Sequence, residues 1–590
     1  MNNIKSCRYF KFDGLNTDTM KFYSGFSTLI FLFTNLLAFG QSIPAFPGAE
    51  GFGASASGGR GGRVIYVTNL NASGPGSFND ALSQTGPRYI LFKVSGVIDA
   101  AAELREGDVT IAGQTSPGGI ITRGFLVDQV YEPGGSGDNI ILRHLRSRPH
   151  DPEQVPSSHF ILDDALRLDG AGNIIVDHCS FANAIDECVQ LSQSHDVTIQ
   201  NCLLAETIGG HYGLGGMLIN YSTAEHPQDR LSIHHNNWNR IVGRLPEIIC
   251  ELPYCATAPL KLELSNNLVW DPHETSWYGA NINPAGEDYR FFLEMNWVGN
   301  LFYTRQAFPF AMMDIRLLQY AQNKVFASGN KMNLYPDYSD YQLCYCCNDF
   351  NQAGSHPNTD FGIAQKLTTR HGFPSITYHS AADLPEYMVH NCGAFPRDQM
   401  DRRLMAPVSS GTIAPEPVDG TDYFHDAFIV PASAPEPPAD RDNDGMPDYW
   451  EELHGLDPDS QDHNGGQLSL SVTGVAGYTN LECYLNCLSD MLVGGQSSSA
   501  CGISLAEHSL PKKTQLMIYP NPAKGRFTVH YGNVTNLEVE IVDFMGRKVY
   551  SGKCQGNACV IDAALPAGHY SVIARSEGKL VGLQKVSIMH

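Results

Sequence analysis

The stretch LSIHHNNWNRIVGRLPEI, residues 231–248, sets Arg244 just beyond a short strand of alternating apolar residues. Upstream, ALRLDGAGNIIVDHCSFANAIDECVQ (165–190) places Asp177 at the end of another strand and Asp186 nine residues on. Carboxylates from adjacent coils of a stacked fold would lie side by side and repel, so a cation is expected between them. A guanidinium on the next face of such a groove would pair with a substrate carboxylate or act on the proton α to it. Asp163 and Asp164 offer a different chemistry, a general acid and base for hydrolysis. The histidines His178, His234 and His235 also have a plain reading, as rings hydrogen-bonded within coils.

A second constellation is DRDNDGMPDYWE, residues 440–451. Asp440, Asp442, Asp444, Asp448 and Glu451 stand at positions 1, 3, 5, 9 and 12 of a calcium loop, and Gly445 permits the sharp turn at position 6. Only an exit helix over about 447–454 accompanies it, so the segment resembles a thrombospondin type 3 calcium repeat more than a full EF-hand. The expected role is to stiffen the connection between domains, because bound metal contributes folding free energy.

The elements that must position these groups are short strands. DVTIAGQ (108–114), DNIILRHLRS (138–147), NIIVDHCSF (173–181), HDVTIQNCLL (195–204), RLSIHHNNW (230–238) and LKLELSNNLVW (260–270) repeat one unit, a few aliphatic residues followed by Asn, His, Gly or Ser. Such runs, with polar turns and almost no helical periodicity, predict a mainly β protein built as a parallel β-helix; a β-sandwich is the other architecture they fit. Pro- and acid-rich stretches over 411–439 predict an extended linker. The calcium segment is expected over 440–490 and a small all-β module from about Gln515 to the end.

At 590 residues the chain exceeds one core and predicts several domains. Its charge of −23 excludes a nucleic-acid binder, and a polyanionic partner would need a local basic groove or a bridging cation. The opening 41 residues carry Met20, Lys21 and the apolar run FSTLIFLFTNLLAF before Gly40 and Gln41, the pattern of a signal peptide with a possible true start at Met20. The run is shorter than a membrane span, and none like it follows. Of fifteen cysteines only Cys7 precedes the expected cleavage, so disulfides are allowed; Cys250/Cys255 and Cys554/Cys559 each could clip a loop. Cys344, Cys346, Cys347 and Cys392 form a local group without the Cys-x-x-Cys spacing of zinc sites.

VDHCSFANAIDE and HHNNWNRIVGRLP resemble motifs of the pectate lyases of polysaccharide lyase family 1. PGAEGFGASASGGRGGRVIYVTNL (47–70) is similar to that family's start and GAFPRDQMDRR (393–403) to the end of bacterial members, so the resemblance covers about 44–410. It implies a right-handed parallel β-helix that cleaves polygalacturonate by β-elimination, with calcium bridging enzyme and uronate carboxylates. By position it implies Asp177, Asp186 and Gln190 at the calcium site and Arg244 as the base. An arginine is ordinarily protonated, so an alkaline optimum is expected. The pattern departs at Gln190 and Ile249, where the family carries an acid and an arginine, and a groove lysine is absent from ETIGGHYGLGG (206–216). Glu187 or Glu206 could replace the lost carboxylate, and His211, Arg230 or Arg240 the lost positive charge; His211 and Arg240 are the substrate-binding candidates. Trp238, Trp270, Trp277 and Tyr278 are aromatics for either cleft or core.

The tail, with MIYPNPAKGRFTVHY and IDAALPAGHYSVIARSEGKLVGLQKVSI, resembles the C-terminal sorting domain of the Bacteroidetes type IX secretion system over 515–590. That implies a small β-sandwich, export across two membranes, and surface attachment or release. The expected protein is thus a monomeric, secreted pectate lyase. Its rivals are a pectin lyase on methyl-esterified chains and a non-catalytic polysaccharide-binding β-helix.

Overall fold

The computed structural model describes residues 43–590 except 131–135, 151–162, 209–214, 242, 251, 273–280, 283–287, 290, 306–311, 315–321, 346–365, 414–425, 431–435, 495–515, 532–535, 544–546, 556–557, 577–578 and 590. The expected leader, His211, Trp277, Tyr278, Cys346, Cys347 and most of the expected linker lie outside the described residues.

Each repeated aliphatic run becomes a strand, and equivalent runs pair in parallel into sheets of eleven, nine and six strands. One coil passes through the three sheets as Gly172–Asp177, Ser180–Ala182 and Val189–Ser192. The next passes as His195–Gln200, Leu203–Ala205 and Met217–Asn220. Register places Val176 on Ile199 and Ile199 on Ile233, so inward aliphatic side chains stack into continuous columns that are almost wholly buried. Each such side chain contributes about 1.5–3 kcal/mol of hydrophobic free energy. The architecture is a parallel β-helix, and the protein is mainly β.

Polar residues turn the corners. Between the eleven- and nine-stranded sheets the chain bends at a left-handed residue, His235 at φ 56° and Asn266 at φ 49°, and the asparagine that follows points inward. Nδ2 of Asn236, Asn267 and Asn300 donates to Oδ1 of Asn267, Asn300 and Asn330 at 3.1, 3.1 and 2.8 Å. Stacked amides satisfy one another, which is how a polar column survives inside an aliphatic core.

The outer face of the eleven-stranded sheet is covered. Gly53 N donates to Thr198 Oγ1 at 2.9 Å, and a Cβ on Gly53 would lie 2.0 Å from Ile174 O. The glycine-rich start therefore serves close approach of backbone to sheet. The nine-stranded sheet has its own C-terminal cover, helices Leu384–Asn391 and Gln399–Ser410, pinned by Arg146 and Arg148. Both guanidiniums are buried and ion-paired to Asp398 and Asp401.

Three imidazoles run beneath this cover. His234 Nδ1 meets His235 Nδ1 at 2.9 Å, and His235 Nε2 meets His379 Nδ1 at 2.9 Å. A neutral His235 can donate through one nitrogen and accept on the other. Burial holds His234 down to about 4, and burial with the two neighbouring rings holds His235 well below its usual value. An unfolded chain protonates these rings near about pH 6.5, whereas the folded one does not, so their contribution is complete above that pH and is lost as pH falls toward the folded values. We expect the melting temperature to drop as pH is lowered through this window and the drop to be shallower in His234→Asn. Parallel melting curves for the two proteins across the window would refute it.

The acidic segment and the helix Asn480–Gly494 after it pack back onto the first coils. Arg60 pairs with Glu482 at 2.8 Å, Tyr89 Oη meets Thr479 Oγ1 at 3.2 Å, and Arg143 donates to Ser489 Oγ at 2.8 Å from helix Asn480–Gly494. The tail forms antiparallel sheets of three and four strands around a separate core that includes Phe527, Val539, Ile541 and Val572. Disulfides join Cys250 to Cys255 and Cys554 to Cys559. Cys344 is buried, and Cys392 is a buried free thiol. Among the described residues no helix is long and apolar enough to cross a membrane.

Candidate functional site

The six-stranded sheet supplies the chemistry. Register aligns Arg167, Gln190, Leu218 and Glu247 in one outward row and Asp169, Ser192, Asn220 and Ile249 in the next. Asp164 and Glu187 each stand two residues before their strand, and Glu187 N donates to Asp164 Oδ1 at 2.9 Å. Asp186 adjoins them, so that one carboxylate oxygen from each of Asp164, Asp186 and Glu187 falls within 4.8 Å of the others.

Arg244 enters this cluster from the next coils. It sits at φ 52°, ahead of strand Glu247–Ile249, with its side chain 20% exposed. Its Nη1 pairs with Glu187 Oε1 and lies 3.7 Å from Asp186 Oδ1, while its Nε pairs with Glu247 Oε2 at 2.7 Å. Glu187 is 0% exposed, and neither its Oε2 nor Asp186 Oδ1 has a hydrogen-bond partner. The Asp164 carboxyl is pushed well above the usual range, chiefly by burial and also by repulsion from Asp186 and Asp169, against the pull of Arg167. Buried, under-satisfied oxygens of like charge fit a hard divalent cation.

The approach of Arg244 depends on Gly215. A Cβ there would lie 2.1 Å from Arg244 Cβ and 2.7 Å from Gly243 O. We therefore expect Gly215→Ala to push the guanidinium off the acidic cluster and lower kcat by about a hundred-fold, the scale for misplacing a reacting group. Wild-type kcat in that variant would show that the approach is not needed.

The other residues picked out by sequence fall elsewhere. Gln190 borders the cluster, but its Oε1 accepts from Arg167 at 3.0 Å and its Nε2 donates to Ser192 at 2.9 Å. Asp177 is not brought to Asp186, which corrects the expected pair. It ends a strand of the eleven-stranded sheet, is 0% exposed, and pairs with Arg143 at 2.8 Å and His178 at 2.8 Å. Gln200 and Asn201 also donate to it, at 2.9 and 3.2 Å. Arg240 pairs with Glu206 at 2.9 Å and Asp271 at 3.5 Å, and Arg403 takes Glu206 as well. Arg230 is held by Asp196 and Asp229. Asp163 faces His150 at 3.3 Å. Trp238 and Trp270 are core, the latter stacked on Tyr303.

In the acidic segment Asp440, Asp442 and Asp444 converge, and Asp444 also converges with Glu451 and Asp462. Glu451 is 0% exposed with both oxygens unpartnered, and burial with repulsion from Asp444 and Asp442 pushes it up to about 8. Asp448 departs from its expected position as a ligand. It begins the helix Asp448–His454, accepts from Arg441 N at 2.9 Å and pairs with the Arg441 guanidinium at 3.0 Å. Asp462, which the loop pattern does not include, joins the cluster.

Asp164, Glu187 and Glu247 are the residues sequence reasoning missed or placed second. The signal for the first two was the coil length, since Asp164 and Glu187 are separated by the same 23 residues that separate Asp177 from its neighbour Gln200 on the next coil.

Residues 517–589 match the secretion system C-terminal sorting domain. Over 475 residues, 78% of this chain and 97% of the relative, the sequence is 30% identical to "Probable pectate lyase C" of Aspergillus fumigatus. A protein of the same name from Aspergillus flavus is 30% identical over 466 residues, 77% of this chain and 96% of its own. Among solved structures, the major allergen of cedar pollen aligns with a TM-score of 0.34 and 12% identity, over 59% of this chain and 92% of its own. By its relatives, and with a site that joins an arginine to clustered carboxylates on a parallel β-helix, the chain belongs to the pectate lyases and is a polysaccharide lyase.

Proposed function

We propose that the protein is a secreted pectate lyase that cleaves polygalacturonate, or a related acidic polysaccharide, by calcium-assisted β-elimination with Arg244 as the base. The observation that carries this is the convergence of Asp164, Asp186 and Glu187 beside Arg244. The unpartnered oxygens of Asp186 and Glu187 fit calcium, and Asp164, Asp186 and Glu187 would hold it, with Gln190 at the margin. When bound, calcium neutralises the substrate carboxylate and so makes the α-proton easier to remove. Arg244 would take up that proton at a neutral guanidine nitrogen, leaving a guanidinium. Glu247 orients Arg244 through Nε, and Gly215 leaves the room it needs. Three carboxylates at the site favour a free uronate bridged by metal over a methyl ester, which needs no such bridge.

The Asp440, Asp442, Asp444, Glu451 and Asp462 cluster would hold a second, structural calcium that fastens the segment packed on the first coils. Tyr66 bonds Asp440, and Lys93 reaches Asn443 at 3.1 Å, so this loop touches the β-helix itself. The tail supports export by the type IX machinery, with the mature protein acting as a monomer at the cell surface or beyond it.

The test is the ultraviolet absorbance of unsaturated uronide released from polygalacturonate at alkaline pH, with calcium or excess chelator. Calcium-dependent product is expected. Absence of product from polygalacturonate and from methylated pectin, with the protein folded, would leave the binding solenoid as the reading.

A further inference from the structure

The groove offers one buried place for positive charge and two claimants. Oxygens of Asp164, Asp186 and Glu187 lie within 4.8 Å of one another, and without a cation they repel. In the structure Arg244 supplies that cation. Its Nη1 is on Glu187 and 3.7 Å from Asp186. A guanidinium spent on Glu187 is poorly placed to serve a substrate, and a Glu187 held by a guanidinium is a poorer metal ligand.

Glu247 resolves the conflict. It lies on the strand Glu247–Ile249, with its side chain 7% exposed, and it takes Arg244 at Nε, 2.7 Å away. Nε and Nη1 belong to the same planar fork, so the arginine can release one carboxylate while a second keeps it in place. A lysine has no second donor in fixed geometry and could not do this.

We infer that Arg244 is the resting counter-ion of the Asp164–Asp186–Glu187 cluster, that it yields Glu187 when calcium binds there, and that Glu247 is the positioning residue that retains it during the exchange. This rests on the calcium reading of the groove given above. The metal then both completes the site and frees the Nη edge of Arg244 for the substrate. Enzyme without calcium is held inactive by its own base.

The experiment pairs crystal structures of the full secreted chain, with calcium and with chelator, with calorimetric titration of calcium into wild type, Arg244→Met and Glu247→Gln. The cluster around Asp444 and Glu451 binds in all three and serves as the internal reference. The expected structure with calcium has Arg244 off Glu187 and still on Glu247. In Arg244→Met, which removes the competing cation, groove affinity should rise about ten-fold or more. In Glu247→Gln it should fall, because Arg244 then loses the carboxylate that holds it away from Glu187, and kcat at saturating calcium should drop about ten-fold with KM unchanged. A merely structural Glu247 would change the melting temperature alone.

An Arg244–Glu187 contact that persists with calcium in the groove would overturn the exchange while leaving the lyase reading intact. Calcium absent from the groove in wild type and Arg244→Met alike, with the reference cluster filled, would overturn the calcium reading and the exchange with it.

Discussion

If Arg244 is the base, Arg244→Lys is expected to lower kcat/KM on polygalacturonate by about three orders of magnitude or more, close to 4 kcal/mol of transition-state stabilisation, while the protein stays folded. Charge is preserved in this variant, so the loss reports geometry. Arg244 meets Glu187 through Nη1 and Glu247 through Nε, a two-point hold that a single ammonium cannot reproduce. The ammonium can still neutralise one of the buried acids, so the stability cost is expected to stay below the roughly 3–5 kcal/mol of breaking a buried pair outright. Initial rates of absorbance at alkaline pH and a thermal melt measure the two effects separately. A variant that keeps more than about a tenth of wild-type kcat/KM would remove Arg244 from the role of base, since losing a positioned base costs a hundred-fold or more.

Asp177→Asn has the opposite profile. It is expected to destabilise the fold by about 3–5 kcal/mol and to leave calcium affinity and kcat of the folded fraction unchanged. Asp177 is the one anion shared by Arg143, His178, Gln200 and Asn201, and Arg143 in turn reaches Ser489 on the C-terminal helix. Removing its charge leaves Arg143 buried without its partner. Burial opposes ionisation of Asp177, but His178, Arg143 and the hydrogen bonds outweigh it and hold the carboxyl well below the usual range. The sign follows from that direction. The unfolded chain protonates near about pH 4 and the folded one far lower, so the stabilisation is complete above about pH 4 and is lost as pH falls below it. Urea unfolding of both proteins at neutral and at acidic pH measures it. Equal midpoints, with a raised calcium requirement in Asp177→Asn, would return Asp177 to the metal site.

These two aspartates show how far a linear reading reaches. Asp177 and Asp186 are nine residues apart and both end or follow short strands, so they looked like a pair. The strand Gly172–Asp177 belongs to the eleven-stranded sheet, whereas Asp186 precedes a strand of the six-stranded sheet, and the strand Ser180–Ala182 of the nine-stranded sheet lies between them. Spacing along one coil does not bring side chains together, but spacing by one coil does. Asp164 and Glu187, a full coil apart, are the pair that forms.

The calcium loop repeats the lesson. Asp440, Asp442 and Asp444 are local, separated by single residues, and their convergence was legible from spacing alone. Asp448 was assigned by the same pattern, yet a helix begins at that residue and Arg441 is within reach, so its carboxylate goes there. Asp462 arrives from a later turn and carries no local signature. Nor did the spacing of these acids reveal that Thr479, Glu482 and Ser489 would pack on the first coils, because Arg60, Tyr89 and Arg143 become their partners only once those coils exist.

By itself, the sequence pointed to the parallel β-helix and the all-β tail, allowed the two short disulfide loops and singled out Arg244 as a candidate. Each of these rests on short-range periodicity, turn chemistry or motif, which are properties of neighbouring residues. Only the tertiary structure decided which carboxylates face Arg244, that Glu247 pairs with it where Gly215 leaves room, and that Asp177 pairs with Arg143, which reaches the helix Asn480–Gly494. Those depend on inter-coil register, and register is set by the whole stack of buried aliphatic columns rather than by any single coil.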